Sequence, residues 1–267
     1  MKEALKYASS ILVVLFVWWL LSFLVGTFVS GHRGSILPGP AAAVQAIRDN
    51  FTLLSRHFVA SAYRLCLGLF ISLVVGASIG LVVGYEDFLD SLVSPILYLL
   101  YPIPKVVFLP MILVLLGLSD FARVFFVALV VVFQILLATR DAAKNLSEEW
   151  VSVVRSFQGS KFQIYRHVVL PATLPAILSS LRISVGIGVA ALYLAETSYA
   201  NSGLGYYISS TWKVFAYADV FSGIVALAFL GLVLYWIIDF VERLACEWQF
   251  VCHSFFYNLE EFILDAI

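Results

Sequence analysis

Charge is what this sequence of 267 residues has least of: Lys, Arg, Asp and Glu make up 12% of it, against 62% hydrophobic residues. So little charge cannot clothe a soluble domain of this size, and the class is that of an all-α polytopic membrane protein. The 16 basic and 17 acidic residues leave a formal net charge of −1, which excludes a basic surface for nucleic acid. Cysteine is scarce as well. Cys66 falls inside an apolar segment and Cys246 and Cys252 lie near the end, at no spacing that suits a disulfide framework or a zinc site. No G-x-x-x-x-G-K-[ST] occurs, so no loop of that kind is available to cradle nucleotide phosphates. His32, His57, His167 and His253 are scattered, H-E-x-x-H is absent, and the apolar segments hold no paired carboxylates. That argues against an enzyme and gives no reason to expect a metal or cofactor. No internal repeat relates the apolar segments, which weighs against a secondary transporter working alone.

What is present is a series of six segments long enough to cross a bilayer, at about 20 residues each. The first, residues 8–29, follows Lys2 and Lys6 and lacks a small-residue cleavage site, so it reads as an uncleaved span with the N-terminus in the cytoplasm. Leu37-Pro38-Gly39-Pro40 is a rigid turn, and Val44, Ile47, Phe51, Leu54 and Phe58 after it repeat at helical spacing. This predicts one amphipathic helix, lying either on the membrane surface or on the protein's own loops. The second span, 58–84, carries Gly76, Gly80 and Gly84 at four-residue intervals, a stripe that lets another helix backbone approach closely.

The third span, 92–117, is interrupted by Pro102-Ile103-Pro104-Lys105 and again by Pro110. A break inside the hydrocarbon is tolerable only where protein or water satisfies the freed backbone groups, so Pro102, Pro104 and Lys105 are candidates for the wall of a pathway. The competing reading of Lys105 is a side chain that merely snorkels to water. The fourth span is 121–139, with Arg123 near its outer end; the fifth, 175–199, contains Glu196 near its end, either a pathway or gate group or an interfacial carboxylate in water. The sixth is 220–244. The remainder, Cys246–Ile267, mixes Phe250, Phe255, Phe256 and Phe262 with acidic residues and suggests a short surface helix.

Between the fourth and fifth spans lies the longest polar interval, Ser147–Pro171. Ser147 can cap a helix whose first turn holds Glu148 and Glu149 and whose Trp150, Val151, Val153, Val154 and Phe157 form an apolar stripe. Gln158 and Gly159 end it. Ser160 and Gln163 make a capping box for a second helix through Phe162, Ile164, Tyr165 and Val168, after which Leu170-Pro171 turns the chain into the fifth span. The connection carries Arg140, Lys144, Arg155, Lys161 and Arg166, whereas the fifth-to-sixth loop carries only Lys213. The positive-inside rule therefore places this interval in the cytoplasm, although Arg33, Arg48 and Arg56 would then lie outside.

This interval resembles the cytoplasmic loop of type-1 ABC importer permeases, whose pattern is Glu-Ala-Ala, three residues, Gly, nine residues, then an aliphatic residue, any residue and Leu-Pro. Val168-Val169-Leu170-Pro171 fits the end; Gln158 stands where the family has Gly, with Gly159 one place later, and Ser152-Val153-Val154 stand where it has Glu-Ala-Ala. Glu196 with Gly203-Leu204-Gly205-Tyr206, and the upstream I-P-K-V-V-F-L-P from Ile103 to Pro110, resemble the branch that takes up taurine, aliphatic sulfonates, nitrate and bicarbonate. The resemblance covers roughly Phe58 to Arg243. It implies a coupling loop that docks on an ATPase, with Glu149, Val153, Val154, Arg155, Gln158, Gly159, Leu170 and Pro171 as its residues. It further implies two separate ABC ATPase subunits, an extracytoplasmic substrate-binding protein, a homodimer in the bilayer of a prokaryotic plasma membrane, and a small, anionic solute. The expected organisation is a first span and surface helix over 1–57, a permease core over 58–243 and a tail over 244–267, with six transmembrane helices and the cytoplasmic coupling helix between spans 4 and 5.

Overall fold

The computed structural model describes residues 2–28, 36–198 and 200–248, with side chains from Ser9 onward. Eleven helices are found among them: α1 (Lys2–Phe28), α2 (Pro40–Asp49), α3 (Phe51–Tyr85), α4 (Asp87–Leu100), α5 (Leu109–Leu116), α6 (Asp120–Lys144), α7 (Glu148–Ser156), α8 (Lys161–Ile164), α9 (Leu170–Thr197), α10 (Leu204–Lys213) and α11 (Tyr217–Ala245). They fall into two compact units. One comprises the chain up to Arg64 together with Leu192–Leu230; the other comprises Leu65–Ala191 and the chain from Gly231. The tail from residue 249, with Cys252, and the segment holding His32 and Arg33 lie outside the described residues.

In the first unit, α1 is pinned at mid-length: the Trp18 indole donates to the Pro38 carbonyl (3.1 Å) and the Ser22 hydroxyl to that of Leu37 (2.7 Å). The amphipathic segment predicted over residues 44–58 is in fact two helices. Asn50 caps α2 in a non-helical conformation (φ −109°, ψ 21°), and its amide donates to Asp219 (2.9 Å), so the chain restarts at Phe51 as the first turn of α3. The part of the segment after Asn50 thus belongs to the 35-residue helix that also forms the second span.

In the second unit the small-residue stripe of α3 meets α6. A Cβ on Gly68 would lie 2.7 Å from Val127, one on Gly76 3.0 Å from the Val132 carbonyl, one on Gly80 2.6 Å from that of Leu136, and one on Gly84 would overlap that of Arg140. Only glycine allows backbones this close, and the gain is packing and backbone contact where lipid offers no hydrophobic drive. The partners advance together along both helices, so α3 and α6 run parallel. A parallel pair requires the intervening chain to recross the membrane. That return is the α4–α5 pair, bent by 78° between Asp87–Leu100 and Lys105–Leu116. Counted as one span beside the five unbroken apolar helices, the bent pair brings the candidate spans among the described residues to six.

Leu170-Pro171 does not turn the chain as expected. Lys161–Thr197 is one continuous helical run, in which Tyr165–Val169 widens to a π turn. The wider turn changes the hydrogen-bond register just before Pro171, which brings no N–H of its own, so the helix passes the proline without breaking. The run is about 55 Å long at 1.5 Å per residue, more than the roughly 30 Å hydrocarbon core, so it is long enough to cross a bilayer.

Candidate functional site

The interval between α6 and α9 is built by short-range bonds. The Ser147 hydroxyl accepts from the Glu149 N–H (3.3 Å), and the capping box at Ser160 and Gln163 closes with both of its bonds. α7 ends in a nested pair of bonds, Gln158 N–H to Arg155 O (2.9 Å) and Gly159 N–H to Val154 O (3.0 Å), with Gln158 at φ 58°. This is the left-handed stop that glycine normally occupies. A Cβ on Gly159 would lie 2.5 Å from the Val154 side chain, so Gly159 is needed one place later, for space.

The expected apolar stripe of α7 divides between two faces. Val151 is buried and Val154 partly so, in a cluster with Ala143, Ile164, Val168 and Val169, while Trp150, Val153 and Phe157, spaced i, i+3, i+7, stand outward at 55%, 57% and 82% exposure. Phe162 and Leu170 are also exposed. Pro171 is half-buried, and Glu149, Arg155 and Gln158 are exposed on the same piece. Beside it runs a groove of about 530 Å³ between the α3–α4 turn and α7–α8, whose walls include Glu86, Asp87, Lys144, Glu148, Arg155 and Lys161. Glu86 receives Lys161 (3.2 Å) and the Tyr165 hydroxyl (3.4 Å). Asp90 in the first turn of α4 receives Arg140 Nε (2.6 Å) and Lys144 (2.7 Å) from the last turns of α6. The loop is therefore carried on a charged, cross-braced base.

At the break between α4 and α5, Pro102 and Pro104 are exposed. Lys105 is half-buried. Its ammonium donates to the Tyr101 carbonyl at the end of α4 and lies 4.8 Å and 4.7 Å from the ring centres of Tyr101 and Phe133. The cation satisfies one of the carbonyls that the break releases.

In the first unit Glu196 is wholly buried, contrary to the interfacial reading with its carboxylate in water. Arg64 Nη1 lies 2.7 Å from Oε1, the Ser61 hydroxyl lies 2.7 Å from Oε2 and 2.8 Å from Oε1, and the Gly205 N–H donates to Oε2 (2.9 Å). Arg64 also donates to the Ser202 carbonyl (2.8 Å) and hydroxyl (2.7 Å). The Leu204 N–H donates to Ser61 (2.7 Å) and the Gly203 N–H to His57 Nδ1 (3.1 Å). The N–H groups at the start of α10, which have no partner within their own helix, are thus capped by three side chains from α3 and α9. The Gly-Leu-Gly run follows from this geometry. Gly203 has φ 112°, and a Cβ there would enter the Glu196 carboxylate; one on Gly205 would lie 2.8 Å from the Glu196 Cβ and from the Tyr193 carbonyl.

With this arrangement in view, the comparisons with known proteins are specific. The family of binding-protein-dependent transport system inner membrane components matches residues 68–245. The chain belongs to this family. It is an ABC importer permease, a transport component of the inner membrane. It is 26% identical to the taurine transport system permease protein of Escherichia coli over 90% of this chain and 88% of that one. To the nitrate import permease protein of Synechocystis it is also 26% identical, over 91% and 89%. Its fold matches that of the MetNI methionine ABC transporter, solved in inward-facing conformations, with a TM-score of 0.60 at 17% identity, over 74% of this chain and 98% of that one.

Sequence reasoning named Glu196 but missed its partners in the permease. His57, Ser61 and Arg64 recur at i, i+4, i+7 on one face of an otherwise apolar helix, and that polar stripe was the available sign. A further charged group was missed as well: Arg182 of α9 pairs with Asp239 (2.7 Å) and Glu242 (3.2 Å) of α11. Among the described residues no three His, Cys, Asp or Glu side chains converge on a metal site.

Proposed function

We propose that this permease forms half of a translocation pathway as a homodimer, its core spanning residues 58–243. It is driven through the α7–α8 loop by two separate ABC ATPase subunits and supplied by an extracytoplasmic binding protein. The N-terminus lies in the cytoplasm, on the same side as the loop. What carries this reading is the loop itself: Trp150, Val153 and Phe157 point outward from helices whose ends are capped and whose inner face is packed. Exposed aromatic side chains on a rigid frame are what a docking anchor requires, since they bury much area at little cost in conformational freedom. Glu149, Arg155 and Gln158 are the exposed polar residues of the same piece, Arg155 among the walls of the groove; Gly159, Leu170 and Pro171 set the shape of the frame.

The solute is a small anion of the sulfonate or nitrate kind, in keeping with what the two relatives are named for. Pro102, Pro104, Lys105 and Glu196 remain its pathway candidates. Lys105 is the more direct of the charged pair, because its ammonium is only half-buried whereas the Glu196 carboxylate is enclosed.

The test is gentle detergent purification of the chain expressed with its neighbouring genes, followed by mass analysis of what accompanies it. A nucleotide-binding subunit at one per permease is expected. A chain that purifies alone and moves solute in vesicles without ATP would overturn the reading in favour of a stand-alone secondary transporter.

A further inference from the structure

The capped root of α10 does something that packing alone does not require. A buried ion pair is a poor source of stability, because well-packed apolar side chains of similar volume do as well or better, whereas it suits an element that must take up one setting and be able to leave it. Here the pair does not join two long helices and nothing else. Glu196 and Arg64 together hold three of the four residues from Ser202 to Gly205, through the Ser202 carbonyl and hydroxyl, the Ser61 relay to the Leu204 N–H, and the Gly205 N–H, while His57 accepts from the fourth, Gly203. At the far end of α10 the chain is exposed: Trp212 at 55%, Val214 at 70% and Phe215 at 71%, the last in the left-handed region at φ 59°. α10 is thus a short lever with a buried, charge-capped root and an apolar tip in contact with the surroundings. On the permease reading, with the α7–α8 loop cytoplasmic and the Lys161–Thr197 run as a span, α10 belongs to the extracytoplasmic connection that a binding protein approaches.

We propose that Glu196 and Arg64, with Ser61 and His57, form a latch on the extracytoplasmic gate: they hold the root of α10 closed against α3 and α9, and the latch is released when the pathway opens outward. The inference rests on the permease reading above and adds to it a moving element with named positioning residues. Release exchanges the cap bonds of Gly203, Leu204 and Gly205 for water, which is possible on this face and not within the hydrocarbon.

The test uses the whole complex, with the native cysteines replaced by serine and a single cysteine at Leu204, a residue with no exposure in the closed form. The readout is its rate of reaction with a membrane-impermeant maleimide. Labelling is expected to be slow without nucleotide and at least about tenfold faster after trapping with ATP and vanadate. Glu196→Gln should raise the nucleotide-free rate by a similar factor, since a bond to a charged partner is weakened. Arg64→Lys, which keeps the charge but not the fork, should fall between. If Leu204→Cys or Glu196→Gln fails to assemble, Ile208→Cys and Ser61→Ala give the same comparison. Equal labelling in both nucleotide states would overturn the latch, as would a Glu196→Gln or Ser61→Ala rate that matches the parent. A purely structural pair would lower thermal stability without this nucleotide dependence. Failure of the permease reading shows differently, as the absence of any ATPase in the purified complex.

Discussion

The two turns at the ends of the Lys161–Thr197 run are held by opposite means. The α7–α8 turn is closed by bonds between residues three to five apart, is braced onto the α3–α4 turn through Glu86, and shows apolar side chains to the outside. The α9–α10 turn combines one bond nine residues long, Gly205 to Glu196, with side chains of α3 more than 130 residues away in sequence, and encloses charges. A locally capped turn keeps its shape whatever lies beyond it, so it can serve as a rigid docking piece. A turn capped from other helices keeps its shape only while those helices stay in place, so it reports their movement. A fixed end and a conditional one fit the coupling proposed above, in which one end is driven and the other responds.

Substitutions can sharpen or break this contrast. The largest effect is expected at the conditional end. Glu196→Ala leaves Arg64 buried without its counter-charge and should lower stability by about 3–5 kcal/mol, measured by thermal unfolding in detergent. The double change Glu196→Leu with Arg64→Met should cost less than the single one. A double variant worse than the single would mean that the pair contributes through something other than charge balance.

At the fixed end the effects are local and smaller. Ser160→Ala removes the capping box and should cost about 1 kcal/mol, seen as faster hydrogen exchange confined to residues 160–164. Exchange that spreads to the α9–α10 turn would erase the distinction between the two ends. Gln158→Gly should act in the other direction and raise stability by about 1 kcal/mol, because Gln158 sits at φ 58°. Smallest in stability is Phe157→Ser, expected within about 0.5 kcal/mol of the parent because its side chain is 82% exposed. The same change should nonetheless lower solute uptake per ATP hydrolysed. Unchanged coupling in this variant would remove Phe157 from the docking surface.

The same contrast governs what could be read from the chain. The apolar segments, the Ser147 cap and the Ser160–Gln163 box are all written within a few neighbouring residues; the structure has five unbroken apolar helices and one bent pair where six spans were expected, and both caps are present. The Gly76-Gly80-Gly84 stripe announced a close helix contact, but its partner α6 and the parallel direction of the pair lay beyond local pattern. The split of the α7 stripe followed from which face met Ala143 and Val169, a tertiary matter. Continuity through Pro171 was hidden because apolar periodicity does not reveal a π turn. Glu196 stood out as a charge in an apolar segment, whereas Arg64, Ser61 and His57 were legible only as a polar stripe on α3 and only in retrospect as its partners.

The most direct test sets the two ends against each other in one complex. Single cysteines at Phe157 and at Trp212, both exposed, are treated with a short bis-maleimide in the purified complex with its ATPase. A cross-link from residue 157 to the ATPase and none from residue 212 is the expected result. A cross-link from residue 212 and none from residue 157 would contradict the assignment of the α7–α8 loop as the end that the ATPase drives.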